Sequence, residues 1–85
     1  MTTYTVRIKR SALKALRRID PQHRNRLIRA IDRLAEEPHA GSVLKGEFGG
    51  LRRIRVGSYR IIYEVNDGKL TVLVVRVAHR REAYR

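Results

Sequence analysis

Between Leu51 and Ala78, three strand-length segments are separated by two turn signals, and this constrains the fold more than any other feature. Arg53 and Arg55 alternate with Ile54 and Val56, Gly57-Ser58 turns the chain, and Tyr59 to Val65 reads as the next strand. Asn66-Asp67-Gly68-Lys69 supplies a second turn, because Asp-Gly tolerates the positive φ of a tight hairpin. Leu70 to Ala78 is almost wholly apolar, the pattern of a strand covered on both faces. Strands joined by turns this short pair antiparallel.

The N-terminal half has a different period. Tyr4, Val6 and Ile8 alternate with Thr5, Arg7 and Lys9, which predicts a half-buried strand. Ser11 is placed to cap a helix carrying Ala12, Leu13, Leu16 and Ile19 on one face. Asp20-Pro21 ends it and opens a second helix, Asp20 as cap and Pro21 in the first position. Leu27, Ile28, Ile31, Leu34 and Ala35 carry that helix to about Glu37, and Pro38 stops it. Residues 38–50, rich in Gly and Pro, read as a loop. The expectation is an α+β domain over residues 1–85. It has a small antiparallel-type sheet of about four strands, in the order β-α-α-β-β-β, with the helical hairpin packed on one face. Two helices cannot cover both faces, so the other is left to the C-terminal tail, to a partner chain, or to exposure of a few valines.

Size and charge narrow the function. A chain of 85 residues buries a thin core. It has no cysteine, so neither disulfides nor thiolate metal sites reinforce it. No His, Asp or Glu pattern suggests a metal or a cofactor. Signal-peptide and membrane-spanning segments are not evident, so the expected location is cytoplasmic with no membrane partner. Twenty Lys and Arg face eight Asp and Glu, a formal net charge of +12. Sixteen of the twenty are arginine, whose planar fork matches phosphate. Such a balance points to a polyanion, nucleic acid above all; an acidic protein partner meets the same charge.

Arg53 and Arg55 share a face of their strand, with Ile54 and Val56 turned the other way toward the helices. Arg60 lies just past the tight turn on the neighbouring strand. His79, Arg80, Arg81 and Tyr84 follow the last strand, which hairpin topology returns to the vicinity of Tyr59 and Arg60. The expectation is a basic concavity holding one imidazole and one phenol. Several other residues have plainer uses: Arg76 pairs with Glu64 across the strands, Arg18 and Arg52 are solvated charge, and Tyr59 and Tyr63 pack.

The segment Leu51-Arg-Arg-Ile-Arg-Val-Gly-Ser-Tyr-Arg-Ile-Ile-Tyr-Glu-Val65 resembles the central strand pair of the RelE/ParE toxin superfamily. The ending Val77-Ala-His-Arg-Arg-Glu-Ala-Tyr-Arg85 resembles the RelE branch in particular. RelE-like toxins are endoribonucleases that enter the ribosomal A site and cut the message there. The resemblance implies that Arg53, Arg55, Arg60 and Arg80 occupy the family's basic catalytic positions and Tyr84 that of its tyrosine. Some members carry lysines where this chain has Arg53 and Arg55, and arginine cannot act as a general base.

The implied reaction is attack by the RNA's own 2′-hydroxyl, without metal or other cofactor. Arg60 and Arg80 would stabilise the phosphorane, and Arg53, Arg55 and Arg81 would position RNA, with Arg81 the second choice for Arg80. His79, with an ordinary pKa near 6.5, and Tyr84, if arginines lower its pKa from about 10, are the acid and base candidates. The implied partners are a cognate acidic antitoxin, the ribosome and mRNA, and operator DNA when antitoxin is bound. Two other readings fit the same chain: a non-enzymatic ParE-like inhibitor of DNA gyrase, and a nucleic-acid-binding protein without activity.

Overall fold

Gly57 takes φ +60° while Ser58 does not enter the positive region, as a type II′ hairpin requires. That turn pairs β3 (Leu51–Val56) antiparallel with β4 (Tyr59–Asn66), Val56 opposite Tyr59 and Arg55 opposite Arg60. The computed structural model describes residues 3–45 and 50–79. The second hairpin joins β4 to β5 (Thr71–His79) with Asn66 opposite Thr71. Its positive φ falls on Leu70, at 55°, and not on the Asp-Gly pair. The Asn66 side chain accepts from the Lys69 N–H at 2.9 Å and closes a longer loop, so the last strand begins one residue later than expected.

Among the described residues the sheet has five strands rather than four, in the order β1 (Thr5–Ile8), β5, β4, β3, β2 (Ser42–Val43). β1 (Thr5–Ile8) runs parallel to β5, from Thr5 opposite Thr71 to Ile8 opposite Val74, so the sheet is mixed and not wholly antiparallel. Parallel neighbours need a long crossover, and here the two helices and the rest of the sheet supply it. The fifth strand is β2 (Ser42–Val43), inside the stretch expected to be loop; Ser42 pairs with Arg53 and Val43 with Arg52.

α1 (Arg10–Arg18) starts before Ser11 can cap it. The Lys9 N–H still donates to the Val74 carbonyl at 2.9 Å, extending the β1–β5 ladder to the helix's edge. Lys9 therefore occupies the capping position, and no side chain caps the helix. α2 (Pro21–Arg33) follows the expected rule, with Asp20 accepting from the His23 N–H at 3.0 Å and Pro21 at its start. It ends at Arg33, short of the expected Glu37. Leu34 and Glu36 donate to carbonyls three residues back, at 3.0 and 3.1 Å, tightening the chain into turns ahead of Pro38.

Ala12 and Leu16 of α1 and Leu27 and Ile31 of α2 are buried with Leu34 against Ile61, Tyr63, Val72, Val74 and Val77 of the sheet. One irregularity decides which residues face this core. Ile62 pairs with Arg76 and Tyr63 with Val74, so Val75 is an extra residue in β5, a β-bulge. Beyond it every side chain changes face relative to a regular strand. The bulge explains the unbroken apolar run: Val72, Val74 and Val77 face the helices, while Val75 and Ala78 join Leu44, Leu51 and Ile62 in a small cluster on the opposite face.

Candidate nucleic-acid interface

The face of the sheet away from the helices gathers the arginines. Direct cross-strand partners point to one side. Arg55 stands opposite Arg60, and Arg60 opposite Ala78. One row further along, Arg53 stands opposite Ile62 and Ile62 opposite Arg76. Arg53, Arg60 and Arg76 are half-buried and Arg55 is exposed. The Nε atoms of Arg60 and Arg76 are shut off from solvent. Arg7, opposite Leu73 on β1, adds a cation at the far edge.

The edge of β3 contributes a notch of about 380 Å³ lined by Ala40, Gly41, Ser42, Arg53, Ile54 and Arg55. Its wall is held by two contacts into the sheet. The Gly41 N–H donates to the buried Tyr63 hydroxyl at 2.9 Å, and an Arg52 nitrogen donates to the carbonyls of Gly41 and His39 at 2.8 and 3.2 Å. Burial pushes the Tyr63 phenol above its usual pKa, so it stays a neutral hydroxyl.

His79 does not join the arginines. It stands opposite Tyr59, with ring centroids 5.7 Å apart at 80°, and His23 of α2 meets the other side of Tyr59 at 5.7 Å. Tyr59 packs against the helix-side core. His79 lines a cavity of about 340 Å³ there with Arg18, Ile19 and Asp20, on the opposite side of the sheet from Arg55 and Arg60. The bulge is the cause: in a regular strand residues 73, 75, 77 and 79 would share one face, and the extra Val75 turns His79 over. It also moves Arg76 onto the arginine face. Leu73, not Arg76, stands opposite Glu64, leaving Arg76 and Glu64 diagonal neighbours. Arg80, Arg81 and Tyr84 lie outside the described residues.

Among the described residues, no group of three or more His, Cys, Asp or Glu could hold a metal ion. No described helix is long and apolar enough to cross a membrane.

Residues 6–84 match the family described as the ParE toxin of the type II toxin-antitoxin system parDE. The chain belongs to the RelE/ParE superfamily of type II toxins. This toxin is 34% identical to Toxin RelG of Mycobacterium tuberculosis over 84 residues, 96% of this chain and 97% of the relative. Its fold matches a chain of the toxin-antitoxin complex RelBE2 from M. tuberculosis with a TM-score of 0.84, at 34% identity, covering 92% of this chain and 99% of that one. The archaeal RelE-RelB complex of Pyrococcus horikoshii contains a second close fold, with a TM-score of 0.77 at 34% identity, over 98% and 100% of the two chains.

Within this toxin the structure brings together Arg53, Arg55 and Arg60, three of the residues singled out from sequence, and adds Arg76, which sequence reasoning gave a local role. The signal for Arg76 was the consecutive Val74-Val75, where strict alternation fails.

Proposed function

We propose that this toxin is a ribosome-dependent endoribonuclease that cuts mRNA in the A site and stops translation. The observation that carries the reading is the like-charged pair Arg55–Arg60 at the centre of an arginine-bearing sheet face. Two arginine forks at opposed positions on one face can hold a single phosphate from both sides. Arg53 and Arg55 position the RNA strand, with Arg81 and Arg76 extending the track. Arg60 and Arg80 stabilise charge on the phosphorane as the 2′-oxygen attacks phosphorus and the 5′-oxygen leaves.

Proton transfer falls to Tyr84. Arginine stays protonated, and His79 turns toward the helices, so the Tyr84 phenol, the family's tyrosine by resemblance, is the remaining candidate for the 2′-hydroxyl proton. No cofactor is required by this scheme, and its site of action is cytoplasmic.

The named relatives in complex with RelB support a cognate antitoxin here also. We assign it an acidic segment for the arginines and apolar residues for the cluster of Leu44, Leu51, Ile62, Val75 and Ala78. Leu73 on that face is 36% exposed and would gain cover. With antitoxin bound, the pair would occupy its own operator DNA, the antitoxin making most contacts.

The description of the matching family favours a second reading, a non-enzymatic ParE-like inhibitor of DNA gyrase. A translating extract separates the two. Codon-spaced truncation of mRNA, lost in Arg60→Ala, is the expected result. Intact mRNA with stalled supercoiling by purified gyrase would overturn it in favour of the second reading.

A further inference from the structure

Ser42 sets a hydroxyl among arginines. It pairs with Arg53 across β2 and β3, and direct partners point to the same side, so its side chain joins the arginine face. Arg55, two residues further along β3, is its diagonal neighbour on that face. Ser42 is exposed, and the notch of about 380 Å³ brings it together with both arginines. Its place is fixed through Gly41, whose N–H is held by the buried Tyr63 hydroxyl and whose carbonyl accepts from Arg52. A methyl group at position 41 would meet the Arg53 carbonyl at 2.7 Å, so glycine there lets the chain lie close against β3. The hydroxyl is thus held in position before any ligand arrives.

The chemistry of the lining decides what the notch can read. Guanidinium groups only donate, which suits phosphate oxygens. A ribose 2′-hydroxyl also carries a proton that needs an acceptor. Of the six lining residues, Ser42 is the one with a side-chain oxygen, and a serine hydroxyl both donates and accepts. The Gly41 carbonyl is already engaged by Arg52. We propose that the notch seats the ribose of the nucleotide beside the phosphate held by Arg55 and Arg60. Ser42 hydrogen-bonds the 2′-hydroxyl of that ribose and so selects RNA over DNA. The spacing suits this, since Arg53 and Arg55 lie about 7 Å apart along the strand, within reach of neighbouring groups on one nucleotide. The hydroxyl that attacks phosphorus lies beside Arg60 on the next strand, so the two are different groups with different tasks. The proposal deepens the reading of this face as an RNA track and rests on it.

The test uses two short single strands of one sequence, one ribose and one deoxyribose, both carrying uracil so that only the 2′ position differs. Their affinities for the parent, Ser42→Ala, Ser11→Ala and Arg55→Ala are measured by fluorescence anisotropy at low salt, on protein shown to be folded by circular dichroism. Ser11 is the control, since it lies beside β5 with β4 and β3 between it and β2. The parent is expected to prefer the ribose strand. Ser42→Ala should lose about two- to tenfold of that preference, the worth of one hydrogen bond, with affinity for the deoxyribose strand unchanged. Ser11→Ala should keep the preference. Equal losses on both strands would make Ser42 a phosphate ligand and overturn the proposal. So would an unchanged ratio in Ser42→Ala, the same fall in Ser11→Ala, or a parent that holds the two strands equally. Arg55→Ala should weaken both strands alike, and no change there would sink the RNA track itself. Failure of the endoribonuclease reading looks different: mRNA survives in a translating extract while Ser42→Ala still lowers the ratio.

Discussion

The Tyr4 hydroxyl donates to Oδ1 of Asp67 at 2.6 Å, tying the first strand to the β4–β5 turn 63 residues away. His39 approaches the same carboxylate at 2.9 Å, so one acidic group gathers three separate segments. The hydrogen bond from Tyr4, then the nearby His39 and Arg52, hold the Asp67 carboxyl below its ordinary pKa; the same bond raises the Tyr4 phenol. The lowered carboxyl contributes stability above its unfolded pKa of about 3.9 that is lost as pH falls through the lower folded value. The raised phenol contributes below about pH 10 and is lost as pH rises through the folded value. Tyr4→Phe should therefore be less stable than the parent between those limits. The gap should close in acid, where Asp67 is protonated in both proteins, and again in strong alkali. Thermal melts across pH check this, and a gap constant through acid would refute it.

Gly41 shows how tightly the notch is built. A methyl group there would meet the Tyr63 hydroxyl at 2.6 Å and the Arg53 carbonyl at 2.7 Å. The second contact is backbone, so it cannot be relieved by turning a side chain. Gly41→Ala is expected to cost about 1–3 kcal/mol, as overpacking does. It should also push residues 40–42 away from Arg53, weakening RNA binding beyond the loss of stability. Tyr63→Phe leaves the Gly41 N–H buried without its acceptor and is expected to cost about 1–3 kcal/mol without widening the notch. Urea unfolding of both variants, with RNA affinity measured on the folded fraction, distinguishes the two effects.

Hairpins, helices and the cluster of Arg53, Arg55 and Arg60 were legible in the sequence because each depends on local chemistry: Gly57 at a positive φ, Asp20-Pro21 at a helix start, alternation along β3. β2 was not legible, since two residues hold no period and Ser42–Val43 become a strand only through pairing with β3. Ser11 failed as a cap because a hydrogen bond from Lys9 to Val74, a partner 65 positions along the chain, fixes where the helix starts. The bulge at Val75 was the costliest omission. It carries no glycine, and the Val74-Val75 doublet is lost within an apolar run, yet one extra residue reassigns Arg76, Val77, Ala78 and His79 to opposite faces.

That reassignment takes His79, one of the two acid–base candidates read from the sequence, off the arginine face. His79 lies edge-on to Tyr59 on the helix side. His79→Gln should leave the pH profile of RNA cleavage intact and lower the rate by less than about tenfold, with the loss arising from packing. Tyr84→Phe is expected to lower it by about 10²–10⁴, the usual contribution of a general acid or base. Single-turnover rates from pH 5 to 9 on both variants decide the matter, and a collapse with His79→Gln alone would return the imidazole to the chemistry.

Arg55 and Arg60 face each other directly across β3 and β4. Two forks at opposed positions can hold one phosphate from both sides, so removing either should weaken RNA binding more than it changes the fold. Arg55→Ala, at an exposed position, is expected to change stability by less than about 0.5 kcal/mol while RNA is held more weakly. Arg60→Ala should lose the packing of a half-buried stem, with the cleavage rate down by about 10²–10³ as for loss of one transition-state donor. Arg60→Lys keeps the charge and loses the bidentate fork, so it should recover RNA affinity more fully than rate. Calorimetry beside single-turnover kinetics tests the pattern. If both alanine variants bind and cleave RNA as the parent does, this strand pair does not hold the phosphate.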